Sequence, residues 1–469
     1  MSKERNLAKN TAIITIGKIC TQLMSFFLLP LYTAFLTTTE YGVIDLLHTL
    51  ISLIIPIISF QVDMGIFRFL IDKRNDKDGK KKLITTIIYF ILTQILIYIF
   101  VFVFFSRWVN NEYKYFLATN LVATVFTNIL LQIARGLGDN KKYAIGSFLS
   151  GVATLILNVV LIAKFRMGAY GMLYATLIGN IVCILYIFIS LKLYKYIDRK
   201  DYSKVVLKDV LKYSVPLIPN AISWWIVNVS DRIIITYFMN IAMNGIYSVA
   251  NKFSALITTM YNVFNMAWTE SAAVNFSSDD RNEFFSNIFD KTIRIFCSLG
   301  LGIIAYMPFV FDLLINQNYS MAYMQIPILI IGTMFNILVS FLGTIYVAKK
   351  LTKEISKTSF IAATINIIVN VVLIEKIGLF AASISTLVAW VSMFIYRLID
   401  SRKYVQIKID IKLTITILVM TIMTLLTYYI RNIILCIIVA LLVTIYAFYI
   451  NKDNAKFVLG VIKEKMLKR

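Results

Sequence analysis

Residues 158–164 read NVVLIAK and residues 370–376 read NVVLIEK, six of seven letters the same at a separation of 212. The identity runs into the flanks, where SFLSGVATLILNVVLIAK at 147–164 stands over SFIAATINIIVNVVLIEK at 359–376. After a gap of two residues the pairing resumes, with Gly168 against Gly378 and ATLIG at 175–179 against STLVA at 385–389. A fainter match sets EYGVIDLLHTLISLI at 40–54 against MNGIYSVANKFSALI at 243–257, at a separation of 203. Two unrelated runs rich in Ile, Val and Leu do not share one register through both flanks, so the chain reads as two repeating halves.

The halves are built of membrane helices. A chain of 469 residues with 59% apolar content and a mean hydropathy of +0.77 has too little polar surface for a water-soluble globule. About 20 apolar residues cross the hydrocarbon as a helix. Fourteen such runs are predicted, at 9–36, 42–70, 83–106, 115–137, 143–163, 170–191, 213–238, 245–270, 292–315, 322–348, 358–374, 378–396, 413–430 and 432–450. They are continuous rather than alternating, which excludes a barrel. The first carries Lys18 and no small-residue cleavage pattern, so it is not read as a signal peptide.

The matched pieces are spans 2, 5 and 6 against 8, 11 and 12, so the repeat unit is six helices. The expected fold is an all-α integral membrane protein with two pseudo-symmetric six-helix lobes, residues 1–200 and 201–405, followed by two helices and a basic tail over 406–469. Six is even, so both halves enter the membrane in the same direction. Such a parallel repeat suits a transporter with a cavity between its lobes. All six prolines (Pro30, Pro56, Pro216, Pro219, Pro308 and Pro327) fall inside or at the mouth of spans, where bent helices suit a two-state cavity.

Cations set the orientation. Counted from an inside first end, the inner loops and tails hold 37 Lys/Arg and the outer face only six, which predicts cytoplasmic termini. The net charge of +22 then reflects topology and anionic headgroups, not nucleic acid. No G-x-x-x-x-G-K-[ST] loop is present to cradle ATP, and no cofactor is expected. Cys20, Cys183, Cys297 and Cys436 lie singly in apolar spans, as reduced packing residues do. His48 is the only histidine, which argues against a metal site and leaves a titrating role open.

Four cations remain inside the spans: Lys18, Arg68, Arg232 and Lys252. An ionised group in hydrocarbon costs about 2.5–3.5 kcal/mol unless it pairs, snorkels or faces water. Arg68 sits where it can snorkel to the inner surface; Arg232 and Lys252 have no such excuse. The cations are therefore candidates for holding an anionic substrate, best met by Arg and Lys if it carries phosphate. Asp231 and Glu270 are candidates for ion coupling, and Asp45, Asp63 and Glu270 are equally placed to pair with the cations structurally. Sixty Tyr and Phe could stack on sugar rings, although most belong to the lipid interface.

Two segments carry a family resemblance. KNTAIITIGKICTQLMSFFLLPLYTAFLTTTEYGVIDL at the start, with its E-Y-G turn, and SDRIIITYFMNIAMNGIYSVANKF at 230–253, with D-R followed by G-I-Y-S-x-A-x-K, resemble Wzx-type polysaccharide flippases of the multidrug/oligosaccharidyl-lipid/polysaccharide exporter superfamily. The resemblance implies a V-shaped two-lobe cavity that flips an undecaprenyl-pyrophosphate-linked glycan across the bacterial inner membrane. With no ATP loop, a cation gradient (H+ or Na+) is the expected energy source, and a polysaccharide polymerase is a candidate partner. A multidrug exporter of the same superfamily would want acids rather than cations in its cavity. A glycan polymerase or ligase would need a large outward loop, and none is predicted, so the chain is not expected to be an enzyme.

Overall fold

The computed structural model describes residues 26–108, 111–349 and 351–452, with the side chains of Glu270 and Thr352 outside that description. The chain is an all-helical, multi-pass membrane protein. Eleven described helices are long and apolar enough to cross a membrane, against fourteen predicted spans. The three that differ are informative. Span 9–36 begins in residues outside the description, and 213–238 is divided at Val215–Leu217 and again at Ser230. Span 245–270 lies within one helix of 35 residues whose Asn, Ser and Thr content makes it too polar to count.

Two compact bodies form. The first runs to Ile233 and takes in Ile241–Gly245; the second takes Ile234–Asn240 and everything from Ile246 onward. The first body contains α1 (Leu29–Phe35), α2 (Thr38–Ile58), α3 (Val62–Asp72), α4 (Lys77–Phe105), α5 (Lys114–Gly136), α6 (Asn140–Asn158), α7 (Gly168–Ser190), α8 (Lys204–Ser214) and α9 (Ile218–Val229). Its core interleaves Val62, Ile66 and Leu70 of α3 with Ile84 and Ile87 of α4 and Ile133 of α5. Lipid tails are as apolar as these side chains, so close packing rather than water exclusion holds the helices together.

The second predicted span, 42–70, is not one helix. Pro56 withholds an amide near the end of α2, and Phe60 and Gln61 then adopt left-handed φ of 50° and 55° before α3 begins. Consecutive non-glycine residues there are strained, at about 1–3 kcal/mol each. Pro308 and Pro327 lie inside helices as expected, whereas Pro30, Pro216 and Pro219 sit in first turns. A proline in a first turn costs no hydrogen bond and imposes no bend.

The repeat that opens the sequence takes two forms. In the first copy Val159–Lys164 is a π-helical segment continuing α6, with the Phe165 amide bonding back to the Val160 carbonyl. In the second copy the same letters form ordinary α-helix inside α14 (Thr352–Ile377). The first copy has two more residues between its Asn and its following Gly, and a π turn absorbs extra residues without breaking a helix. In each copy the Asn, Asn158 or Asn370, is fully buried.

The second body holds most of α10 (Asp231–Phe238) and α11 (Ile241–Asn275), then α12 (Arg281–Leu314), α13 (Met321–Ala348), α14, α15 (Phe380–Ser401), α16 (Ile411–Ile430) and α17 (Ile433–Ile450). Its centre is aromatic: Trp268 stacks on Phe341 at 4.5 Å and meets Phe285 edge-on at 5.0 Å. Tyr323 of α13 stacks on Tyr428 of α16 at 4.1 Å, and each hydroxyl donates to the other's backbone carbonyl.

Candidate functional site

The E-Y-G turn shows what its three letters are for. Thr37 and Glu40 form a reciprocal cap at the start of α2: the Glu40 amide donates to the Thr37 hydroxyl at 3.2 Å and the Thr37 amide donates to the Glu40 carboxylate at 2.9 Å. The other Glu40 oxygen accepts the Ala169 amide at 3.2 Å, tying α2 to the first turn of α7. Tyr41 is buried beside Tyr32, with ring centroids 6.0 Å apart. Gly42 meets the first turn of α11 so closely that an added Cβ would lie 2.0 Å from the Ile241 carbonyl oxygen. Gly245, its counterpart in the fainter repeat, lies as close to the Thr38 carbonyl, at 2.1 Å from a hypothetical Cβ.

One turn below this crossing lies a charged cluster. The Arg232 Nε donates to Asp45 at 2.9 Å, with side-chain exposures of 16% and 18%. The Arg232 Nη1 also donates to the Asn228 carbonyl at 3.2 Å, and the amide of fully buried Asn244 reaches the Gly42 carbonyl at 3.0 Å and Asp45 at 3.4 Å. Trp225 of α9 closes the neighbourhood, its indole N–H donating to the Thr49 carbonyl and the Ser52 hydroxyl of α2. The acid is thus held by a guanidinium and an amide.

The remaining predicted residues are distributed as follows. Arg68 pairs with Asp72 at 2.7 Å on the surface of α3, half exposed, as a snorkelling side chain should be. Lys252 is half-buried in α11 and belongs to the second body. Asp231 is buried in the first turn of α10, where a helix N-terminus favours negative charge. Lys18 and the Glu270 side chain lie outside the described residues. Of the acids offered as structural partners, Asp45 is the one that takes Arg232.

Asn244, Asn228 and Trp225 were not singled out from the sequence. Asn244 stood in plain view as the N of M-N-G, the repeat partner of E-Y-G. A larger omission is Arg397. It lies one residue beyond the predicted twelfth span, where the sequence places it with the inner-loop cations. The structure buries it to 2% exposure within α15, where Nε and Nη2 donate to the Thr358 hydroxyl at 3.1 and 2.8 Å and Nη1 to the Val339 carbonyl at 2.9 Å. No acid pairs with it among the described residues. It is a three-helix tie between α13, α14 and α15, and the loop count loses one cation to the interior.

A cleft of about 1220 Å³ opens in the second body between the start of α12 and the extended segment 405–410. Its lining, which includes Asp279, Asp280, Glu283, Asp290 and Asp410, contains none of the predicted site residues. Two of these acids already hold Arg294, Asp290 at 2.6 Å and Asp410 at 3.7 Å.

Solved structures share this arrangement of helices. Among solved structures, the lipid II flippase MurJ in an inward closed conformation matches over 95% of this chain and 99% of that one, with a TM-score of 0.69 and 18% identity. An inward-facing multidrug resistance MATE family transporter of the MOP superfamily matches over 83% of this chain and 98% of that one, with a TM-score of 0.66 and 14% identity. At such identities the likeness is one of fold. The chain itself belongs to the polysaccharide biosynthesis protein family, whose profile matches residues 7–269. No curated protein sequence matches it significantly.

Proposed function

We propose that the chain is a flippase that moves an undecaprenyl-pyrophosphate-linked oligosaccharide across the bacterial inner membrane by alternating access, for surface polysaccharide such as O-antigen or capsule. Family membership carries this reading, because the family's business is polysaccharide synthesis and the fold is that of transporters rather than of enzymes. Arg232, Lys252, Lys18 and Arg68 hold the pyrophosphate, and a proton or sodium gradient drives the cycle through Asp231 or Glu270. Arg232 is suited to the task because it already faces a carboxylate: a pyrophosphate oxygen can replace Asp45 at the planar fork, as one oxyanion exchanges for another. Both termini are cytoplasmic, and a polysaccharide polymerase takes the delivered unit.

The test is reconstitution of the full-length protein in vesicles with a fluorescent undecaprenyl-pyrophosphate oligosaccharide on one leaflet. Gradient-dependent movement to the other leaflet is expected, lost in Arg232→Ala and only partly kept in Arg232→Lys. Transport of organic cations with no movement of the lipid would replace this reading with that of a drug exporter, for which Asp45 would be the natural cation partner.

A further inference from the structure

Among the buried oxygens of the first body that lack hydrogen-bond partners, two carry acceptor groups that the fold brings to facing stripes of α3 and α5. Both Oδ1 of Asp63 and Oε1 of Gln132 are shielded from solvent and unpartnered. Asp63 lies in the first turn of α3 and Gln132 in α5. The two helices run in the same direction: Gly136 rests against Leu70, the Arg135 guanidinium lies 4.4 Å over the Phe67 ring, and Arg74 just beyond α3 donates to the Gly136 carbonyl at 2.8 Å. Asp63 is four residues before Phe67 and seven before Leu70, hence on the stripe of α3 that faces α5. Gln132, four residues before Gly136, extends the matching stripe of α5. At 1.5 Å of rise per residue, Asp63 stands about 10 Å and Gln132 about 6 Å above the Leu70 and Gly136 contact. Helical side chains lean toward the N-terminus, so Gln132 leans toward the level of Asp63.

No cation answers this acid. Arg68 points to the half-exposed surface of α3, where it meets Asp72, and Arg135 lies over the Phe67 ring, a turn lower. From α8, Val210 and Ser214 are the residues buried toward α3, while Lys208, Asp209 and Lys212 are exposed. From α4 the buried contacts are Leu83, Ile84 and Ile87, and Lys81 turns to Asp201. The Met64 amide donates to the Gln61 carbonyl at 3.1 Å, and Oδ1 of Asp63 is left without a donor. Two acceptors on facing stripes with no hydrogen between them are both satisfied by adding one.

We propose that Asp63 and Gln132 form a proton-binding site in the first body, with Asp63 protonated at Oδ1 and donating that hydrogen to Oε1 of Gln132. The site begins two residues past Gln61, where α2 breaks into α3 on left-handed residues. Release of the proton leaves a carboxylate with one shielded, donorless oxygen at that break, so proton occupancy biases a strained element. Only the use of this site for energy coupling rests on the flippase reading; the protonation itself does not.

Infrared spectroscopy of the full-length protein in lipid nanodiscs tests it. The wild type should show a protonated carboxylic-acid carbonyl band that is lost in Asp63→Asn, a variant that copies the shape of the neutral acid. Gln132→Leu should keep the band but shift it, because the hydrogen loses its acceptor. A wild-type spectrum whose acid band survives in Asp63→Asn overturns the proposal, and so does a band unmoved in Gln132→Leu. Loss of the band on adding sodium at constant pH marks a metal-cation site and overturns it as well. If Asp63→Asn does not fold, the shift in Gln132→Leu decides alone. A chain that moved no lipid-linked glycan would still show the band, so failure of the flippase reading and failure of this one are separable.

Discussion

The ion pair of Arg232 with Asp45 allows stability and the proposed transport role to be tested separately. Removing one partner of a buried pair strands the other charge, at roughly 3–5 kcal/mol. Arg232→Ala should therefore lower the melting temperature of purified protein and the yield of folded chain. Asp45→Asn combined with Arg232→Gln removes both charges and should restore most of the stability without restoring surface glycan, read by stability assay and glycan staining of the same strain. Recovery of export in that double variant would show Arg232 to be structural only. Arg397 is expected to behave differently, because its partners are neutral. Lys cannot reproduce three directed guanidinium bonds, so Arg397→Lys should cost roughly 1.5–3 kcal/mol for each charged bond it loses. Thr358→Val should mimic it, since that hydroxyl accepts two of the three bonds.

Between helices, the tightest constraint is the crossing of α2 with the first turn of α11. Gly42→Ala and Gly245→Ala each push a methyl group against a backbone carbonyl, which cannot swing aside as a side chain would. Overpacking of this kind costs about 1–3 kcal/mol, whereas Gly302→Ala, with nothing within 4 Å of the added atom, should leave thermal stability nearly unchanged. Glu40→Ala should cost about 0.5–2 kcal/mol through loss of the cap, and more if the freed Ala169 amide finds no water. The same crossing explains why the faint repeat at 40–54 and 243–257 keeps its glycine register: two helices can approach this closely only where neither has a Cβ.

For the whole protein, the split of 37 inner to six outer cations predicts that reporter fusions after Lys80, Lys204 and Lys403 all report cytoplasm. Burial of Arg397 takes one from the inner count and leaves the asymmetry intact. A periplasmic signal at any of the three sites would break the even six-helix repeat. Lys403 in particular is anchored at the surface by Asp400 at 2.6 Å, which raises the ammonium pKa above its usual value and keeps it charged at every physiological pH. Vesicle transport should continue without nucleotide and stop when proton and sodium gradients are both collapsed. Persistence after collapse would remove ion coupling from the scheme.

Helix content and the membrane-protein class were legible in the letters alone, because lipid leaves the backbone no partners but its own and makes each apolar run its own element. Among the described residues, eleven helices of spanning length follow that rule. What depends on neighbours was not legible. Pro56 hinted at a weakness in α2, but the left-handed break at Phe60 and Gln61 is settled by the packing of α3. Six shared letters gave one π-helical segment and one α-helix because the residues that follow them differ in number. Arg232 had three acids within plausible reach, and only the fold brings Asp45 to it across 187 residues. Hydropathy sees the cost of putting a charge in lipid, but the group that offsets this cost lies on another helix, and sequence spacing does not say which.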